Sequence, residues 1–341
     1  MRTSLRQPQD RGRFPLFHCI LGVIALNKWS PRDAVLTMHS REQNQAPVAV
    51  VVGSYNTDLL IWCDTIPTRG QSLMGGDFEM FCGGRGANCA VAAARAGCKV
   101  MFIGAHGPDL FGKMARDRLA TEGIDISHFV ELPSSKTGVS LVFHERAAGA
   151  HAALIATSAN NAFPAALVRK AQPAIRQADL VFTQFGIARE AFLEVLRLCK
   201  HWKKRLVLQA APIDASTYLP NGNYYLLVLD QFDALTLTRQ DNLDAAILEL
   251  HRRGAEHVIV KLNYDSLSFS NNAGRKIQPI PTAKFVQRAG TTECLTAWAG
   301  ITLTMTGDLS QAAYIGAEAM AVSLSRHGAQ DSMPRRSELS L

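Results

Sequence analysis

The chain has 341 residues, enough for one large domain with a well-buried core or for two smaller ones. An apolar fraction of 47% and a charged fraction of 19% are ordinary for a soluble globular protein. The net charge is +7, but residues 1–46 carry seven bases against three acids, so much of the excess sits in a tail, and the rest is read as near balance with no Lys/Arg block, which argues against nucleic-acid binding. Seven scattered cysteines, an odd number without a CxxC pair, exclude a disulfide ladder and a structural zinc site and read as reduced core residues of a cytoplasmic protein.

At the N-terminus, "RGRFPLFHCILGVIAL" places arginines before an apolar run, but the run is too short to span a bilayer and no small-x-small cleavage site follows. Residues 1–46 therefore read as a disordered or artefactual extension, with Met38 a candidate start. Residues 47–341 read as one domain. "VAVVVGS" (48–54) has the continuous β-branched character of a buried parallel strand. "GANCAVAAARAG" (86–97) predicts a helix closed by Gly97, "KVMFIGAHG" (99–107) a strand, and "DLFGKMARDRLATEG" (109–123) a helix. Four alternating segments, near 58–81 and 137–157, do not suit a parallel core and predict a small separate sheet. After residue 160, strands at "ADLVFTQF", "RLVLQAAP", "YYLLVLD" and "HVIVKL" alternate with helices near 188–200 and 241–253. An antiparallel hairpin ("SLSFSN", "GRKIQPIP") and helices from about Cys294 and across 309–326 complete a doubly wound α/β pattern, whose ligands bind at the strand C-termini.

Asn56 and Asp58 follow the first strand, where an amide and a carboxylate can take several hydrogen bonds from a polyol. Gly83, Gly84 and Gly86 allow close backbone approach to a ligand, and Asn88 adds an amide at a helix start. The alternative is a turn that needs glycine only to enter a tightly packed helix. "HERAAGAH" (144–151) is not HExxH, and its histidines flank a predicted turn, so they read as surface residues.

"VVGSYNTDL" (51–59), "MFCGGRGANCAVAAARAG" (80–97) and "SRHGAQDSMP" (325–334), in this order, resemble the PfkB family of carbohydrate kinases and its ribokinase-like branch. The resemblance implies a ribokinase-like α/β fold, with a mostly parallel sheet flanked by helices and the small inserted sheet as a lid that often pairs two subunits. It implies transfer of phosphate from ATP, with Mg2+, to a small sugar such as ribose. It places Asn56, Asp58, Gly84 and Asn88 on the sugar.

The same alignment sets "QRAGTTE" (287–293) against the family's Asp-Thr-Thr-Gly-Ala-Gly-Asp. Glu293 falls on the catalytic base, longer by one methylene than aspartate. Gly290, Thr291 and Thr292 fall on the anion hole, where a β-branched residue restricts the backbone. Gln287 replaces the aspartate that helps bind a monovalent cation, which argues against a K+ site. Asp230 and Gln231 are set against the family's Asn-x-x-Glu, and Lys261, Asn263 and Ser266 against Thr-Leu-Gly-x-x-Gly, with Lys261 read as a phosphate contact or, more simply, a strand-end lysine. Gly186 stands where ribokinases have a glutamate touching ribose, leaving room for a nucleoside acceptor. Two functions follow from the resemblance: a sugar kinase with a weakened site, or a non-catalytic relative acting as a sugar sensor or partner-binding protein.

Overall fold

The computed structural model describes residues 46–145, 151–214 and 217–339. The expected N-terminal extension lies almost entirely outside the described residues. In chain order the elements are β1 (Val48–Val52), β2 (Asn56–Cys63), β3 (Phe78–Gly83), α1 (Arg85–Arg95), β4 (Lys99–His106), α2 (Leu110–Thr121) and β5 (Asp125–Glu131). Then come β6 (Gly138–Glu145), β7 (His151–Ala156), α3 (Ala165–Lys170), α4 (Gln172–Gln177), β8 (Leu180–Gln184), α5 (Arg189–His201) and β9 (Arg205–Gln209). The chain continues through β10 (Tyr224–Asp230), α6 (Gln231–Thr238), α7 (Leu243–Arg252), β11 (Ala255–Leu262), β12 (Ser266–Asn271) and β13 (Gly274–Pro279). It closes with α8 (Thr291–Thr306) and α9 (Leu309–Leu324).

One nine-stranded sheet has the order β13-β12-β11-β10-β9-β8-β1-β4-β5, parallel from β11 to β5 and antiparallel at β12 and β13. β1 is apolar at every position because both of its faces are covered. Ala49 and Val51 pack with α1, α8 and α9, whereas Val50 and Val52 pack with α4, α5, α6 and α7. The alanine run of α1 has a packing reason. Ala87, Ala90 and Ala93 are fully buried, and a Cβ at Gly86 would lie 2.6 Å from the Gly53 Cα. Trp298, buried on α8, fills the space on that side of the sheet.

The second sheet, β3-β2-β6-β7, lies over the strand ends. Its register places Asp58, Ser140 and Ile155 in one row on the inner face. The next row, Met80-Leu59-Leu141-Leu154, and the row Phe78-Ile61-Phe143-Ala152 face outward, so the middle of that face is apolar, with Glu145 on the row beyond. Phe78 and Leu154 on it are exposed to 60% and 70%.

Five elements depart from the sequence expectation, among them the short helices α3 and α4, which no expected element covers. β5, "DISHFVE", is an additional edge strand; edge position leaves it little apolar signal, with Phe129 its one buried residue. A further helix, α6, starts directly at Gln231. Helix α8 starts at Thr291 rather than near Cys294, because Gly290, at φ 78°, forms its N-cap. No helix among the described residues is long and apolar enough to cross a membrane.

Candidate active site

β1 is flanked by β8 on one side and β4 on the other, so the strand order reverses there and leaves a crevice at the strand C-termini. A cleft of about 350 Å3 occupies that place, lined by Ser54 after β1, Gly186 after β8, Pro212 after β9, Asp230 of β10 and Lys261 of β11. The lid row Asp58, Ser140 and Ile155 forms its roof, and α1 and α8 contribute Asn88 and Glu293.

Of the residues expected at the sugar end, Asn56, Asp58, Gly84 and Asn88 all line this cleft. Gly84 has φ 88°, and a Cβ there would lie 2.4 Å from the Asn56 nitrogen, so only glycine joins lid to helix so tightly. Gly83 does not line the cleft. It lies beneath Asp58, whose Oδ2 would be 2.1 Å from an added Cβ, and so makes room for that carboxylate. Asn160 was not singled out in the sequence, yet it organises this end. Its Nδ2 donates to Asn56 Oδ1 and to the Tyr55 carbonyl, both at 2.9 Å, and its Oδ1 accepts from the Tyr55 N–H at 3.0 Å. The Asn56 carbonyl end is thereby spoken for. Asn88 Oδ1 is buried without a hydrogen-bond partner, an acceptor that a ligand hydroxyl would satisfy. Burial, then the neighbouring Glu293 charge, push the Asp58 carboxyl up to about 7 against the opposing pull of Arg85.

The room expected at Gly186 is partly filled. The Gln184 side chain folds over it, accepts the Gly186 N–H and donates to Ser54 Oγ at 3.1 Å. A Cβ at Gly186 would meet Gln184 Oε1 at 2.7 Å.

At the other end, Glu293 lies in the first turn of α8 and is only 5% exposed. It is more than a surface charge favouring the helix dipole. Arg85 Nη1 pairs with Glu293 Oε1 at 3.1 Å, and Gln209 Nε2 donates a short hydrogen bond to the same oxygen. Neither partner is adjacent to Glu293 in sequence, so only the fold reveals them. Lys261 also needs correction as a simple strand-end lysine. It is 4% exposed, its Nζ donates to Thr292 Oγ1 at 2.9 Å, and it lies 3.1 Å from the Asp230 carboxylate.

Gly290 and Thr292 line the cleft, but Thr291 turns away and bonds the Arg288 carbonyl at 2.9 Å. Asn263 is exposed and off the cleft; its φ of 54° explains why asparagine can stand where the family has glycine. Gln287 also lies off the cleft. Gln231 is exposed, and the acid that completes the turn is Asp233, three residues after Asp230 as the Asn-x-x-Glu spacing requires. Burial, then Asp230, raise Asp233 to about 6, while Arg85 and Lys261 pull it down, so it senses the cleft's own charges. Counting the spacing from Asp230 would have found it.

Two peripheral readings need comment. His144 and His151 are register partners between β6 and β7, and His144 packs on Trp62 with ring centroids 4.8 Å apart; residues 146–150 lie outside the described residues. The expectation of no Lys/Arg block is too strong, since "KHWKKR" (200–205) holds four bases. That segment lies at the end of α5 and the start of β9, at the N-terminal edge of the sheet, and Lys204 Nζ is bound to the Ala178 carbonyl at 2.8 Å.

A doubly wound α/β domain with a β lid over a polar cleft, and a carboxylate at a helix N-terminus within it, defines the carbohydrate-kinase class of fold. More narrowly, the chain belongs to the pfkB family of carbohydrate kinases, matched over residues 47–336. It is similar to the ribokinase of Haemophilus influenzae, at 26% identity over 293 residues covering 84% of this chain and 95% of that protein. It is likewise similar to the ribokinase of Bacillus subtilis, at 26% identity over 297 residues covering 85% and 97%. In fold it is similar to Arabidopsis thaliana ribokinase complexed with ribose and ATP, with a TM-score of 0.78 at 23% identity, covering 86% of this chain and 97% of that one.

Proposed function

We propose that the chain phosphorylates a hydroxyl of ribose or a similar small sugar with ATP. The observation that carries this is the convergence in one cleft of Asp58 and Asn88 with Glu293 and the N-terminus of a 16-residue helix. Asn56, Asp58 and Asn88 hold the sugar hydroxyls. Glu293 takes the proton as the hydroxyl oxygen bonds to the γ-phosphorus and the bond to the bridging oxygen breaks, releasing ADP. Lys261 and the first N–H groups of α8 oppose the phosphoryl charge.

Mg2+ bound by one or two carboxylates together with substrate phosphates fits the chemistry of Asp230 and Asp233, three residues apart, with Asp230 Oδ1 now paired with Lys261 Nζ at 3.1 Å. When bound, Mg2+ would screen charge on the phosphates. A metal cage made by protein alone does not fit, since no cluster of three His, Cys, Asp or Glu occurs among the described residues. The apolar outer face of the lid suits a second copy of this chain, so we place a homodimer there; sedimentation of Leu154→Lys as a monomer would support it, and an unchanged mass would not. The function so described belongs to the cytoplasm, where ATP is at hand.

The test is to incubate the purified chain with MgATP and ribose and to follow ADP release and phosphosugar by mass. Formation of both in equal amounts supports the reading. Binding of ribose without product, at high enzyme and long times, supports the second reading, a non-catalytic sugar sensor. Its favouring observation is that Glu293 and Thr292 are already engaged by Arg85, Gln209 and Lys261.

A further inference from the structure

We infer that Arg288 and Lys261 form a side-chain clamp for a phosphoryl group, with Tyr264 as its positioning platform. The inference rests on the reading of the cleft as a sugar-phosphorylating site, and names residues of this chain that take over from its missing glycine.

Three cations line the cleft: Arg85, Lys261 and Arg288. Arg85 is paired with Glu293, and Lys261 with Asp230. Among the described residues Arg288 has no carboxylate partner. Its guanidinium instead lies over the Tyr264 ring at 4.8 Å and over the Phe285 ring at 5.4 Å. Lys261 Nζ also lies over the Tyr264 ring, at 4.4 Å, so one tyrosine holds both cations. Tyr264 itself lines the cleft.

Stacking on an aromatic face restrains a guanidinium without neutralising it, and leaves its N–H fork free for a bidentate oxygen acceptor. An unpaired Arg288 beside a buried Lys261 is therefore charged and preorganised. The N-terminus of α8 adds a third positive element at the same end, through Gly290 and Thr292. Where Thr292 restricts the backbone N–H cradle, the two side chains supply donors that reach over it. The ligand class is a phosphoryl group carried by the terminal phosphate of a nucleotide or by a phosphorylated pentose.

Calorimetry on the full chain separates these sources. Ribose, ribose 5-phosphate and MgATP are titrated into the unaltered protein, Arg288→Gln, Lys261→Met and Asp58→Asn, with thermal melts run on each. Arg288 is exposed, so its replacement tests the clamp without disturbing the core. The expected result is that Arg288→Gln lowers the affinity for a phosphorylated ligand by about tenfold relative to ribose. A loss for MgATP assigns the nucleotide as source, and a loss for ribose 5-phosphate assigns the sugar. The proposal is overturned if neither affinity falls, or if Lys261→Met tightens MgATP, since the lysine would then be a plug. Asp58→Asn addresses the parent reading separately. Unchanged ribose binding in that variant removes the sugar site, whereas loss of MgATP binding in Arg288→Gln would still stand.

Discussion

The two ends of the cleft are built differently. At the sugar end, Asn56 is fixed by a neutral neighbour, Asn160, and Asn88 keeps an unpartnered oxygen. At the phosphate end, Glu293 and Lys261 are already held in ion pairs with Arg85 and Asp230. A neutral network holds ligand groups in readiness, whereas charge pairs must be exchanged when a charged ligand arrives. The departures from the family pattern at the phosphate end are also coupled. Thr292 and Lys261 replace a glycine and a threonine, and in the fold they bond each other at 2.9 Å. Two substitutions far apart in sequence are one structural change.

The sharpest way to break the comparison is to remove charge from the phosphate end while sparing the sugar end. Glu293→Gln should lower kcat by about 10²- to 10⁴-fold, the usual contribution of a general base, with ribose affinity at pH 8 changed by no more than about twofold. A coupled ADP assay and calorimetry measure the two. Equal activity in the variant would remove Glu293 from the chemistry.

The converse is Asp58→Ala. Hydrogen bonds to an ionised group are worth about 1.5–3 kcal/mol each, so losing two hydroxyl contacts should weaken ribose by about 10²- to 10⁴-fold. MgATP affinity should stay within about threefold in the same titration series. Parallel loss of both ligands would mean that the two ends are not separable.

How far these ends could be read in sequence differs for physical reasons. The end proposed for the sugar was legible in part, because "NTD" and "GGRGAN" each fold locally and strand β2 pairs directly with β3, whereas Asn160 reaches Asn56 from 104 residues away. The doubly wound core was legible because β1, β4, β8 and β10 are buried on both faces and so carry unbroken apolar runs. The phosphate end depends on contacts across the fold. Arg85 meets Glu293 from 208 residues away, and Gln209 meets it from 84. No local pattern encodes such pairs. Asp233 is a different case, because its three-residue offset from Asp230 was present in the chain and was passed over for Gln231.

A third change sharpens the comparison by restoring the phosphate end. Thr292→Gly with Glu293→Asp frees the helix N-terminus and shortens the carboxylate. If misplacement by about 1 Å can cost about 10²-fold, partial correction should raise kcat by about tenfold. Progress curves at saturating MgATP and ribose give the answer. No gain, with an unchanged melting curve, would show that Arg85 and Lys261 set the limit.

The smallest expected effect concerns pH, and it tests whether the two ends communicate through charge. Asp58 titrates near 7, first because it is buried and second because Glu293 is close, with Arg85 acting the other way. An ionised Asp58 accepts charge-assisted hydrogen bonds from sugar hydroxyls, so ribose affinity should rise with pH. For a group with pKa near 7, the ionised fraction grows from about one tenth at pH 6 to about nine tenths at pH 8, a gain of about tenfold at most. Stability moves in the opposite sense. The folded carboxyl holds its proton to higher pH than the unfolded one, so this group's contribution is full below about 4 and declines as pH rises towards 7. Asp58→Asn should flatten both profiles. Glu293→Gln should shift the ribose profile to lower pH, because the second cause of the raised pKa is removed while burial remains. A profile that keeps its midpoint in Glu293→Gln would assign the shift to burial alone and make the two ends electrostatically independent.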